Sequence, residues 1–99
     1  MAKVRWSHDA ARDLEEIANY IAKDSPRYAK IVASRIYESV ALLKEFPSMG
    51  RVIPELQIET RREIIVGSYR ILYRLKIDVC EILNILHSKK DLWKFLESR

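Results

Sequence analysis

One cysteine, two glycines, three prolines and two histidines are all that these 99 residues contain of those types, and each scarcity excludes something. Cys80 has no partner for an internal disulfide. It sits in an apolar run and reads as a buried structural thiol of a protein kept in a reducing cytoplasm. The two histidines and the cysteine show no ligand spacing, and no glycine-rich phosphate loop is present, so neither a metal nor a cofactor is expected. No stretch approaches the roughly 18 consecutive apolar residues of a membrane span. The opening MAKVRWSHDAARDL lacks the apolar core of a signal peptide, and the chain is read as soluble, unprocessed and cytoplasmic.

What remains is 48% hydrophobic and 32% charged, ordinary globular usage that excludes a disordered or fibrous chain. A chain of this length forms one domain, residues 1–99, with room for one site. The net charge of +4 is unevenly placed. Residues 8–46 carry six basic and seven acidic side chains, whereas residues 51–90 carry eight basic against five acidic. That asymmetry suits a polyanionic or acidic partner, and equally suits the mildly basic surface of a protein that never meets nucleic acid.

Lys3 to Trp6 alternates polar and apolar, which predicts a short first strand. Ser7 can cap a helix, with Asp9 favourably placed in its first turn. Ala10, Leu14, Ile17, Ala18 and Ile21 form the apolar stripe of that helix, leaving Arg12, Asp13, Glu16 and Lys23 on a wet face. Ser25-Pro26 ends it and starts a second, so the two helices should form an antiparallel hairpin. The second helix carries Ala29, Val32, Ala33, Ile36, Val40 and Leu43 on one face and runs to about Glu45, before Phe46-Pro47 and Gly50 stop it.

A loop is expected over residues 47–60. Arg61 to Val66, Tyr69 to Leu75 and Val79 to His87 then read as three strands, joined by a primed turn at Gly67-Ser68 and by a second turn near Ile77-Asp78. The last strand pairs Ile82 with Leu86 on one face and Leu83 with Ile85 on the other, so it is expected inside the sheet, covered on both sides. Ser88 and Asp91, followed by Leu92, Phe95 and Leu96, predict a short closing helix. The expected architecture is α+β, in the order β-α-α-β-β-β with that short helix, an antiparallel sheet packed by an N-terminal helical hairpin.

The loop and strands read Pro47-Ser-Met-Gly50-Arg51-Val-Ile-Pro54-Glu55-Leu56, Arg62-Glu63-Ile-Ile-Val66, Tyr69-Arg70-Ile-Leu-Tyr73-Arg74 and Ile82-Leu-Asn-Ile-Leu-His87. With Trp6 ahead of a helix holding Asp13-Leu14, Ile17 and Tyr20-Ile21, these elements resemble the RelE/ParE toxin superfamily over nearly the whole chain, specifically its ParE-like and plasmid stabilisation members. The resemblance implies the toxin of a type II toxin-antitoxin system, silenced by a cognate antitoxin whose segment wraps over it in a hetero-oligomer. Apolar surface around the helical hairpin or the closing helix, with Trp93 or Phe95, is where such a segment is expected.

The superfamily divides in two. ParE-like toxins inhibit DNA gyrase and need no hydrolytic site. RelE-like toxins are ribosome-dependent endoribonucleases that cut messenger RNA in the A site. Metal-free RNA cleavage needs a base for the 2′-hydroxyl, an acid for the leaving oxygen and cations around the phosphorane. The resemblance offers Glu55 as base, Arg70 as phosphate ligand and, one residue out of register, His87 as acid. Other RelE-like members use several basic residues with a tyrosine near the C-terminus. Arg51, Arg61, Arg70, Arg74, Lys89 and Lys90 match the former, but the tail carries Trp93 and Phe95 and no tyrosine.

The same residues suit a purely structural account. Arg70 and Arg74 share a strand face where Glu63 or Glu81 can pair with them, Glu55 can anchor its loop or answer Arg51, and His87 can serve as a hydrogen-bonding residue at a strand end. The leading expectation is therefore a ParE-like toxin acting by binding, with Arg51, Arg61, Arg74, Lys89, Lys90 and Trp93 as candidate binding residues. The alternatives are a RelE-like ribonuclease acting through Glu55, Arg70 and His87, and an inactive homologue retained as a binding module.

Overall fold

The computed structural model describes residues 1–88 and Leu92. The closing helix expected after Ser88, and with it Lys89, Lys90, Trp93 and Phe95, lies outside the described residues, Leu92 excepted.

The chain opens with β1 (Lys3–Trp6) and α1 (His8–Ala22). Ser7 is extended and its Oγ accepts from the Ala10 backbone N–H at 3.0 Å, the capping geometry expected of it. After α1, Ser25 does the same for α2 (Pro26–Ala41), accepting from the Tyr28 N–H at 3.1 Å with Pro26 at the first helical position. The α-helix stops at Ala41, short of the expected Glu45, and tightens into a 3₁₀ turn over Leu42–Lys44. Pro47 disfavours helical geometry at Phe46, so the chain has to leave the helix before it.

The stretch read as loop contains β2 (Arg51–Val52), and β3 (Arg61–Val66), β4 (Tyr69–Leu75) and β5 (Val79–His87) follow with the expected boundaries. The five strands form one sheet in the order β1-β5-β4-β3-β2. Strands β2 to β5 pair antiparallel, as expected for hairpin-linked neighbours. β1 departs from that pattern: it runs parallel to β5, Lys3 opposite Val79 through Trp6 opposite Ile82, and makes the sheet mixed. β5 is consequently interior, as its apolar content requires. Gly67 alone in the β3–β4 turn has a positive φ, +57°, the signature of the type II′ class.

Leu83 is an extra residue on β5, since Leu72 faces Asn84 while Tyr73 faces Ile82. The bulge corrects the strict alternation read from the sequence. Ile82 and Ile85 point together into the core under the helices, and Leu86 belongs to the opposite face. The helix-side core is built on Ile36, Leu43, Ile71, Tyr73, Cys80 and Ile82, each fully buried. At about 1.5–3 kcal/mol for each large apolar side chain taken from water, this layer dominates the fold's stabilisation. A smaller cluster on the other face joins Ile53, Leu72, Leu86 and Leu92.

Beyond Ile82, β1 has ended and α1 takes over the polar groups of β5. The Ser7 hydroxyl donates to the Leu83 carbonyl at 2.9 Å, and the Asp13 carboxylate accepts from the Ile85 N–H at 2.9 Å and from Asn84 Nδ2 at 3.3 Å. Asp13 is therefore a half-buried tie between helix and sheet, where the helical pattern had placed it on the wet face.

Candidate functional site

The face of the sheet away from the helices carries alternate side chains of each strand: Arg51 from β2, Arg61, Glu63 and Ile65 from β3, and Arg70, Leu72 and Arg74 from β4. Register then decides which charges meet. Arg51 lies opposite Glu63, and Arg70 lies opposite Ile65, next to the Glu63–Leu72 pair.

The loop after β2 brings the fourth member. Ile53 is buried and its N–H donates to the Arg61 carbonyl at 3.0 Å, while its own carbonyl accepts from Leu56 and Gln57. Gln57 takes a positive φ of 52° to close this turn. Glu55 is thereby held over the β4 face.

The four charges form an alternating chain. Arg51 Nε donates to Glu63 Oε2 at 2.6 Å, and Arg70 donates to Glu63 Oε1 from both Nε at 2.8 Å and Nη2 at 2.6 Å. Arg70 turns its other edge to Glu55 in a two-point fork, Nη1 to Oε2 at 2.9 Å and Nη2 to Oε1 at 2.8 Å. Glu63 is only 1% exposed and Arg70 is also buried. No buried side-chain nitrogen or oxygen among the described residues lacks a hydrogen-bond partner. The Arg70 hydrogen bonds hold the Glu55 carboxyl below its ordinary value, against the opposing effect of burial. Glu55 and then Glu63 push Arg70 up, so its charge is permanent.

Of the residues proposed for RNA chemistry, the structure brings Glu55 and Arg70 together and leaves His87 apart. His87 is paired with Tyr69 across the β4–β5 ladder, on the helix side, and its ring meets Tyr69 edge-on at 5.6 Å between centroids. Arg70 pairs with Leu86, one residue earlier and on the opposite face. A depressed, ion-paired Glu55 is a poor proton acceptor near neutral pH, and Arg70 has its fork occupied by carboxylates.

Arg61 and Arg74 face each other directly across β3 and β4, with Arg61 Nη1 donating to Thr60 Oγ1 at 3.2 Å. Like charges so placed repel. Glu81 answers Arg5 at 2.9 Å and Lys76 at 3.9 Å, and the Arg5 hydrogen bond, helped by the nearby positive charges of Lys76, Arg5 and Arg74, lowers its carboxyl. Arg62, on the helix side of β3, clamps the preceding loop by donating to the carbonyls of Ser48, Gly50 and Glu59. Lys89, Lys90 and Trp93 lie outside the described residues.

Glu63 is the hub that the sequence reading named only as a possible partner. Its signal was its position: the one carboxylate of β3, opposite Arg51 and diagonal to Arg70. Among the described residues no three histidine, cysteine, aspartate or glutamate side chains gather as a metal-holding group, and no helix is long and apolar enough to cross a membrane.

The family model described as ParE toxin of type II toxin-antitoxin system, parDE, matches residues 4–92. A Sinorhizobium fredii protein called Putative toxin Y4kP is 40% identical over 91 residues, covering 90% of this chain and 91% of the relative. The chromosomal ParDE toxin-antitoxin system of P. aeruginosa contains a chain that superposes with a TM-score of 0.75 at 24% identity, over 90% of this chain and 98% of that one. The toxin-antitoxin complex RelBE2 of Mycobacterium tuberculosis contains one with a TM-score of 0.58, also at 24% identity, over 87% and 96%. At such identities the two structures establish the common fold.

Proposed function

Because this chain belongs to the ParE toxin family of type II toxin-antitoxin systems, we propose that it arrests growth by binding its target, DNA gyrase, and is neutralised by an antitoxin encoded beside it. The observation that carries the choice of a binding mechanism is the Arg51–Glu63–Arg70–Glu55 chain. It satisfies the arginine and the carboxylate that RNA cleavage would need free, and His87 stands on the other face of the sheet. The exposed arginines Arg51 and Arg74, with the half-buried Arg61 opposite Arg74, then supply a basic surface for contact with the target.

Expression of the toxin alone should halt growth of a bacterial host, and co-expression of the neighbouring antitoxin should restore it. The same purified protein should block gyrase supercoiling and leave messenger RNA on translating ribosomes uncut. A-site cleavage without gyrase inhibition would reverse the assignment, in favour of the ribonuclease reading. Unimpaired growth with folded, soluble protein would favour the inactive binding module.

A further inference from the structure

We propose that the cleft between α1 and the β4–β5 ends receives a basic side chain, arginine or lysine, carried by the antitoxin. The assignment of an antitoxin as occupant rests on the functional reading above; the chemistry of the cleft does not.

The cleft has a volume of about 370 Å³ and opens to solvent on the helix side of the sheet. Ile17 and Ile85 line it with aliphatic surface, beside the aromatic residues Tyr20, Tyr69 and His87. Asp13, its carboxylate already accepting from the Ile85 N–H and Asn84, and the exposed Glu16 complete the lining with negative charge. Aliphatic surface, aromatic rings and negative charge are the three features that a long cationic side chain satisfies at once: its methylenes lie on the aliphatic surface and its charged head meets rings and carboxylates.

Charge complementarity selects this occupant over others. The chain as a whole is +4, yet α1 carries Asp9, Asp13, Glu15 and Glu16 against the single Arg12, so the cleft opens beside a locally negative helix. An apolar side chain would strip water from the carboxylates without replacing it, and an acidic one would be repelled. Tyr20 is 72% exposed, which a single core-facing role does not explain. Its ring already attracts a cation within the molecule: Lys23 Nζ lies 5.9 Å from the ring centroid. Glu16 stands four residues before Tyr20 on the same helix face, so ring and carboxylate act together on whatever enters.

Titration of the ¹⁵N-labelled toxin with N-acetyl-arginine amide, followed by amide chemical shifts, tests the cleft directly. Saturable shifts are expected at Ile17, Tyr20, Tyr69 and Ile85, and N-acetyl-citrulline amide, which has the same shape without the charge, should bind about tenfold more weakly or worse. Tyr20→Ala should weaken arginine binding about two- to fivefold. Glu16→Lys, an exposed change that leaves the spectrum otherwise native, should abolish it. Absent shifts, or citrulline binding as well as arginine, would overturn the cleft's chemistry.

For the occupant, the Glu16→Lys toxin should hold the neighbouring antitoxin about tenfold more weakly than wild type; equal affinity would exclude the antitoxin as the source of the side chain. Failure of the wild-type toxin to bind that antitoxin would remove both the occupant and the functional reading, with the arginine titration still deciding what the cleft accepts.

Discussion

Replacing Glu63 by glutamine removes one negative charge from the centre of the four-residue chain while keeping its shape. Glu63 accepts from Arg51 Nε and from two nitrogens of Arg70, and its side chain is fully buried. Uncovering a buried cation by deleting its partner costs roughly 3–5 kcal/mol. Two features place Glu63→Gln near the lower end. Glu55 stays forked to the other edge of Arg70, and Arg51, whose side chain is 61% exposed, can turn into water. A loss of about 3 kcal/mol is expected, which lowers the melting temperature of a domain this size by about 12 °C or more.

Glu55→Gln should cost only about 1 kcal/mol, because that carboxylate is partly hydrated and Arg70 keeps Glu63. The double change Glu63→Leu with Arg70→Met removes both buried charges and should recover stability to within about 1 kcal/mol of wild type. Urea denaturation followed by circular dichroism, with slopes compared to check two-state behaviour, measures all of them. Equal costs for Glu63→Gln and Glu55→Gln, or a double variant no better than Glu63→Gln, would refute the account of Glu63 as the buried hub.

Four more expectations follow from the geometry. Gly50→Ala should destabilise by about 1–3 kcal/mol in the same denaturation assay, since an added Cβ would stand 2.7 Å from both Tyr73 Oη and the Glu63 carbonyl. Tyr73→Phe should cost about 1 kcal/mol, because the hydroxyl accepts from the Gly50 N–H at 3.1 Å and donates to the Pro47 carbonyl at 2.7 Å. Glu55 has its folded-state pKa depressed by Arg70, so its contribution is complete above the ordinary carboxylate value and disappears as pH falls through the lowered one; denaturation midpoints measured down the acid range should fall less steeply for Glu55→Gln than for wild type. Cys80 is fully buried and burial pushes its thiol up, so a thiol reagent at neutral pH should modify the native protein only at the rate of its unfolding, and the denatured protein at once.

Local chemistry made most of the fold legible. Ser7 and Ser25 announce their helices, and the β-branched runs on either side of Gly67 and of Ile77-Asp78 mark β3, β4 and β5. What escaped has a common cause in distance along the chain. A two-residue strand such as β2 has no periodicity to detect, and β1 is placed by a partner strand 76 residues further along. The Leu83 bulge moved Ile82 and Leu86 onto different faces although every residue around it suits a strand. At the site, the pairing of Arg70 with Glu63 follows from strand register, which the turn at Gly67 sets. The reach of Glu55 depends on a turn at Gln57, and nothing in that residue type demands a positive φ. The one-residue uncertainty at His87 is resolved by its pairing with Tyr69, which places it on the helix side.

The parallel pairing of β1 with β5 has a consequence for how the molecule comes into being. Arg5 and Glu81, joined across that seam, are 76 residues apart. β1 therefore has no strand beside it until β5 has been synthesised, and the entropy of closing so long a loop falls on the pairing that joins the two. A polypeptide that stops between β4 and β5 has β1 unmatched and one flank of β4 uncovered. Closure of the sheet thus waits on β5, and a fragment without that strand leaves β1 with no place in it.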